Sequence, residues 1–97
     1  MAHTKARTMT EWNTEDLYWK DEFNKRPYAS DRDYHYWRPA YRYGFDAAER
    51  YPGKHWDEIE HDLRNGWDRY EGRDERSTWE QVKDAVRDAW QRVTSRV

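Results

Sequence analysis

Tryptophan recurs in this chain in a register that only helices explain. Trp56, Ile59, Leu63, Arg64, Trp67 and Arg69 return 23 residues later as Trp79, Val82, Val86, Arg87, Trp90 and Arg92. The apolar steps within each copy are 3, 4 and 4, so each tryptophan pair lies eleven residues apart. That is close to three turns of a straight helix and departs from the seven-residue seam of a coiled coil. Two similar amphipathic helices are therefore written into the C-terminal half. The echo specifies architecture and carries no chemistry.

The chain is otherwise poor in ordinary core residues. Leu, Ile, Val and Phe together number nine of 97 residues, whereas Trp, Tyr and Phe number seventeen. A chain this long supports one domain with a shallow core. A well-buried tryptophan contributes about 4 to 5 kcal/mol before entropy, so a handful of rings offsets the missing aliphatics. Aromatic side chains thus decide that the chain folds at all.

Charge is dense but balanced. Residues 1–51 hold nine basic and nine acidic side chains, residues 52–97 nine and eleven, for a net charge of −2. Neither half is a polycationic arm, so bulk charge favours neither nucleic acid nor an anionic membrane surface. Without cysteine there is no disulfide framework, thiolate nucleophile or thiolate zinc site. No apolar run of signal or membrane-spanning length occurs, and a cytoplasmic protein is expected.

The expected organisation is an N-terminal flexible tail, 1–11, followed by one helical domain, 12–97, with helices at about 14–25, 37–51, 55–70 and 78–95. Asn13 reads as the cap of helix one, with Trp12 and Leu17 spaced as a hydrophobic staple. Pro27 ends that helix. Asp33 could cap helix two, but Pro39 would then sit too deep, which favours a late start around Tyr36 to Arg38. Pro52 and Gly53 make the next turn, and Ser77 with Glu80 forms a capping box for helix four. Lys54 stands where Ser77 stands in the second copy. The short connection Glu71 to Arg76 predicts that helices three and four pair as an antiparallel hairpin, with Trp67 near Trp79 and Trp56 near Trp90 and Val93.

The segments Tyr18-Trp19-Lys20, Arg26-Pro27-Tyr28, Arg38-Pro39-Ala40-Tyr41-Arg42-Tyr43-Gly44, Pro52-Gly53 through Trp56, and Trp79-Glu80 through Trp90 resemble a family of short, uncharacterised bacterial proteins. The likeness extends over nearly everything after Trp12, and the RPAYRYG stretch is its most specific piece. It implies no activity, cofactor or site residue, and points only towards general stress physiology.

Few residues suggest chemistry. Asp57 and His61 lie four apart, as two metal ligands on a helix would, but a run of acids opposite a Trp-Ile-Leu stripe is better read as a solvated face, and no metal or cofactor is expected. Of three serines, two are explained as loop or cap residues, and the four glycines form no phosphate loop. Gly66 beside Trp67 corresponds to Ala89 beside Trp90, where a small residue suits close helix packing. Arg38, Tyr41, Arg42 and Tyr43 interleave guanidinium and aromatic groups as single-stranded nucleic acid platforms do, although arginine stems lying on tyrosine faces within the fold use the same residues.

The sequence therefore predicts an all-α, four-helix domain with an aromatic-rich core and a quasi-repeated C-terminal helical hairpin. The function expected is non-enzymatic: a structural or protein-interaction protein, self-associating or bound to a protein partner, with single-stranded nucleic acid binding through 38–43 as the alternative. The argument is surplus aromatic surface, since seventeen rings exceed what so small a domain should bury. It designates Tyr18, Trp19, Tyr28, Tyr34, Tyr36, Trp37, Arg38 and Arg42 as the interaction surface.

Overall fold

The structure, a computed structural model, describes residues 9–29 and 32–95. The all-α architecture is as the sequence predicts: four helices and, among the described residues, no strand. They are α1 (Met9–Glu22), α2 (Tyr34–Arg50), α3 (Trp56–Trp67) and α4 (Trp79–Thr94), with a short 3-10 turn Phe23–Lys25 continuing α1.

Helix starts differ from the sequence expectation, each for a local reason. α1 already includes Met9, so residues 9–11 of the expected tail are helical, while 1–8 lie outside the described residues. Asn13 is interior to the helix. Trp12 is buried but Leu17 is 70% exposed, so the staple does not form; five residues turn a helix by about 140°, which sends the two side chains to different faces. The buried positions are instead Trp12, Glu15 and Trp19.

α2 starts earlier than expected. Asp33 caps it by accepting the Tyr36 N–H on its side chain at 3.3 Å, and Pro39 is accommodated inside the helix. Pro39 deprives the residue 35 carbonyl of its partner, but His35 is exposed, so that carbonyl faces a side of the helix open to water.

The last two helices begin one residue later than the sequence reading placed their caps. Glu58 accepts the His55 N–H at 2.8 Å, and Gln81 accepts the Thr78 N–H at 3.1 Å while Thr78 accepts that of Gln81. The caps His55 and Thr78 are thus themselves 23 residues apart. Ser77 is buried and donates its hydroxyl to the Asp74 carbonyl instead. α3 stops at Trp67, where three-residue bonds from Arg69 to Gly66 and from Tyr70 to Trp67 tighten the chain into a turn.

The principal packing pair is α2 with α4 rather than a hairpin of α3 with α4. Tyr36 Oη donates to Gln81 Oε1 at 2.9 Å, and eight residues on Gly44 meets Val86 and Ala89, so the two helices run parallel. α1 runs antiparallel to both, as Trp12 packs on Phe45, Phe23 on Tyr34, and Glu15 and Arg26 pair with Arg92 and Asp88. α3 packs on α4 and is also reached from α2 by Tyr43. Tyr43 Oη donates to the Leu63 carbonyl at 2.8 Å, while the next residue, Gly44, lies against the carbonyl of Val86. Leu63 and Val86 are equivalent positions of the echo, and so are Gly66 and Ala89, which meet the same two α2 residues. The similar helices therefore share α2 as a partner, α4 along its length and α3 through Tyr43, while α3 also packs on α4 through Trp56. Trp79 stacks on Trp56 at 6.3 Å, in place of the expected Trp67, and Trp56 also meets Trp90 at 5.5 Å.

Candidate functional site

The outer stripe of α2 supplies the polar groups that the core leaves over. His35, Arg38, Arg42 and Asp46 recur at three and four residues, so they share one face, turned away from α4. Beside this face stand Trp12 of α1 and, from the turn after α3, Tyr70 and Gly72. Together they line an open cleft of about 580 Å³.

Trp12 is almost wholly buried, and its ring carries both guanidiniums, Arg38 at 5.7 Å and Arg42 at 5.2 Å from the centroid. Each arginine is also tethered by its Nε, Arg38 to Asp16 Oδ1 at 2.9 Å and Arg42 to Asp46 Oδ1 at 3.3 Å. The two planar forks are thus held one helical turn apart on an indole floor. Burial raises the Asp16 carboxyl, but hydrogen bonds from Arg38 and Tyr34 outweigh it and leave the group below the ordinary carboxylate range. Burial raises Asp46, against the pull of Arg42. Tyr70 at the rim is raised by burial and by the Asp46 charge.

The predicted aromatic interaction surface is not assembled. Trp19, Tyr36 and Trp37 are buried, and Trp19 stacks on Tyr41 at 4.3 Å with planes 9° apart. Tyr18 is half-buried beneath Arg92, whose guanidinium lies 3.4 Å from the ring centroid. Tyr28 bonds Asp88 at 2.7 Å and Tyr41 at 3.0 Å, and Tyr34 donates to Asp16 Oδ1 at 2.6 Å. Among the described residues the exposed large hydrophobic side chain is Leu17, not a ring. The premise of surplus aromatic surface fails because rings packed on rings fill a small core efficiently: Trp19 on Tyr41, Tyr43 on Trp67 and Trp56 on Trp79 bury one another.

Of the designated residues, only Arg38 and Arg42 come together at a solvent-facing site. Tyr41 and Tyr43 point inward, with 0% and 6% exposure, so segment 38–43 offers two arginines but no stacking faces for bases. The arginines lie on Trp12 rather than on the tyrosines. His35, Asp46 and Tyr70 were not singled out as site residues from the sequence; the α2 spacing signals the first two, whereas nothing local signals Trp12 as the floor or Tyr70 as the rim. Asp57 and His61 gather no third His, Asp or Glu suited to a metal among the described residues. His61 Nε2 instead lies 3.1 Å from Asn65 Nδ2. No described helix is long and apolar enough to cross a membrane.

Compared with known proteins, the chain matches no family model, and no curated protein or solved structure is significantly similar to it.

Proposed function

We propose that this is a non-enzymatic protein-interaction protein whose docking site is the cleft formed by Trp12, Arg38 and Arg42, and that the groups it receives are acidic side chains of a protein partner. The observation that carries the reading is the pair of guanidiniums stacked on one buried ring and displayed one turn apart at the mouth of an open cleft. A guanidinium fixed by stacking loses less rotamer freedom on binding a carboxylate, and its fork suits bidentate recognition. Its present partners are no obstacle. Half-exposed ion pairs of this kind contribute only about 0 to 1 kcal/mol, and an arginine with five N–H donors can serve a second carboxylate. The nucleic acid alternative keeps the two arginines but loses Tyr41 and Tyr43 as stacking platforms.

The test is the affinity of a fluorescent helical peptide carrying two glutamates four residues apart, measured by anisotropy against salt concentration. Binding should weaken as salt rises, fall at least tenfold with Arg38→Ala/Arg42→Ala, and vanish for the glutamine peptide. Equal binding of the glutamate and glutamine peptides would overturn the reading, and a salt-dependent shift with single-stranded DNA in its place would favour the alternative.

A further inference from the structure

The acidic groups that match this cleft are present on the chain itself. α3 turns Asp57, Glu58, His61 and Asp62 to solvent. Glu58 and Asp62 are four residues apart, as Arg38 and Arg42 are, so both pairs stand about 6 Å apart along their helices. Glu58 uses one carboxylate oxygen on the His55 N–H, a bond that holds it below the ordinary carboxylate range and therefore ionised. Both acids are exposed on α3, whose Trp56, Ile59, Leu63 and Trp67 enter the core.

Resting on the docking reading above, we propose that the occupant of the cleft is a second copy of this chain, which lays the Glu58–Asp62 turn of its α3 across the Arg38–Arg42 turn of α2. The matching is one of sign and spacing: two carboxylates and two guanidiniums, each pair one helical turn apart. The two patches are different surfaces of one molecule, so each copy offers a donor face and an acceptor face. Such a heterologous contact closes into a ring or continues as a chain. Because the interface is ionic at its centre and holds no exposed aromatic anchor, it is salt-sensitive and depends on concentration.

The experiment combines light scattering after gel filtration with charge reversal. The wild-type chain at low salt should show a mass of at least twice its 12.1 kDa, falling to the monomer at high salt. Arg42→Glu and Asp62→Lys should each be monomeric with unchanged helix content. Mixed together they should form a one-to-one complex, since the first keeps the acidic turn and the second keeps the cleft, and the double variant should associate with itself again. Asp62 is exposed, so Asp62→Lys tests the contact even where Arg42→Glu disturbs the packing on Trp12. A wild-type chain that stays monomeric at every concentration overturns the proposal, as does association that neither variant alters. If that monomer still binds the glutamate peptide, the docking reading survives and the second copy is the wrong occupant; if it does not, both fall.

Discussion

Gly44 of α2 lies directly against the carbonyl oxygen of Val86 on α4, with the Ala89 β-carbon beside it. A β-carbon at position 44 would collide with backbone, which cannot rotate away as a side-chain end can. Gly44→Ala gains about 1 kcal/mol of helix propensity but should lose more through overpacking, for a net destabilisation of about 2 kcal/mol. The denaturant midpoint checks this. An unchanged or higher midpoint would mean that α2 and α4 do not pack this closely.

Trp67 and Trp90 occupy equivalent places in the echo and are both buried, at 0% and 8% exposure. Trp67→Ala and Trp90→Ala should each cost roughly 3 to 5 kcal/mol, with Trp67 at the upper end because the rings of Tyr43 and Tyr70 pack on it. Urea unfolding of the two variants provides the measurement.

Leu17 provides the contrast. It is apolar and belongs to a helix that packs on two others, yet it is 70% exposed. Leu17→Ser should shift stability by less than about 0.5 kcal/mol. A loss of several times that would place Leu17 against something outside the isolated chain.

Glu15 is buried on α1 and accepts Arg92 Nε at 2.9 Å, while Arg92 covers Tyr18. Removing one partner of a buried pair costs about 3 to 5 kcal/mol, and because Arg92 is itself about one-third exposed the lower part of that range applies to Arg92→Ala. The loss should fall on α1, and hydrogen exchange should quicken there before it does in α2 or α4.

Several tyrosines resist ionisation. Burial pushes Tyr43 up to about 12, and burial together with a nearby carboxylate, Asp88 for Tyr28 and Tyr41 and Asp16 for Tyr34, raises those three further. Unfolded tyrosines ionise near 10.0, so above that pH the unfolded chain binds fewer protons than the folded one and stability falls. Stability from these groups should be complete below pH 10 and fade as pH rises towards 12. Tyrosinate absorbance and circular dichroism should change together over that interval; tyrosines that titrate fully while the helices persist would contradict the burial described.

Helix type and the inward faces of α3 and α4 were legible because they are properties of spacing: a step of three or four residues puts Trp56, Ile59, Leu63 and Trp67 on one side whatever they pack against. The spacing of Arg38, Arg42 and Asp46 puts them on one face of α2 for the same reason, but it does not say what that face meets. α1 was harder to read, because its inward face mixes Trp12 and Trp19 with the charged Glu15, a pattern without an apolar stripe. Only the fold reveals that Arg92, 77 residues away, makes Glu15 a core residue.

Sequence alone determined that this chain is helical, that rings replace aliphatic side chains in its core, and that two of its helices are alike, since each follows from local periodicity and from which groups water rejects. The tertiary structure decided the rest. Whether a half-apolar tyrosine is buried or displayed depends on what other segments bring to it, and Asp16, Gln81 and Asp88 satisfy the hydroxyls of Tyr34, Tyr36 and Tyr28 from elsewhere in the chain. Those long-range pairings drew the tyrosines inward and left the arginines of α2 outside on the ring of Trp12. A hydrogen bond between segments distant in sequence has no local signature, which is why the cleft became visible only in three dimensions.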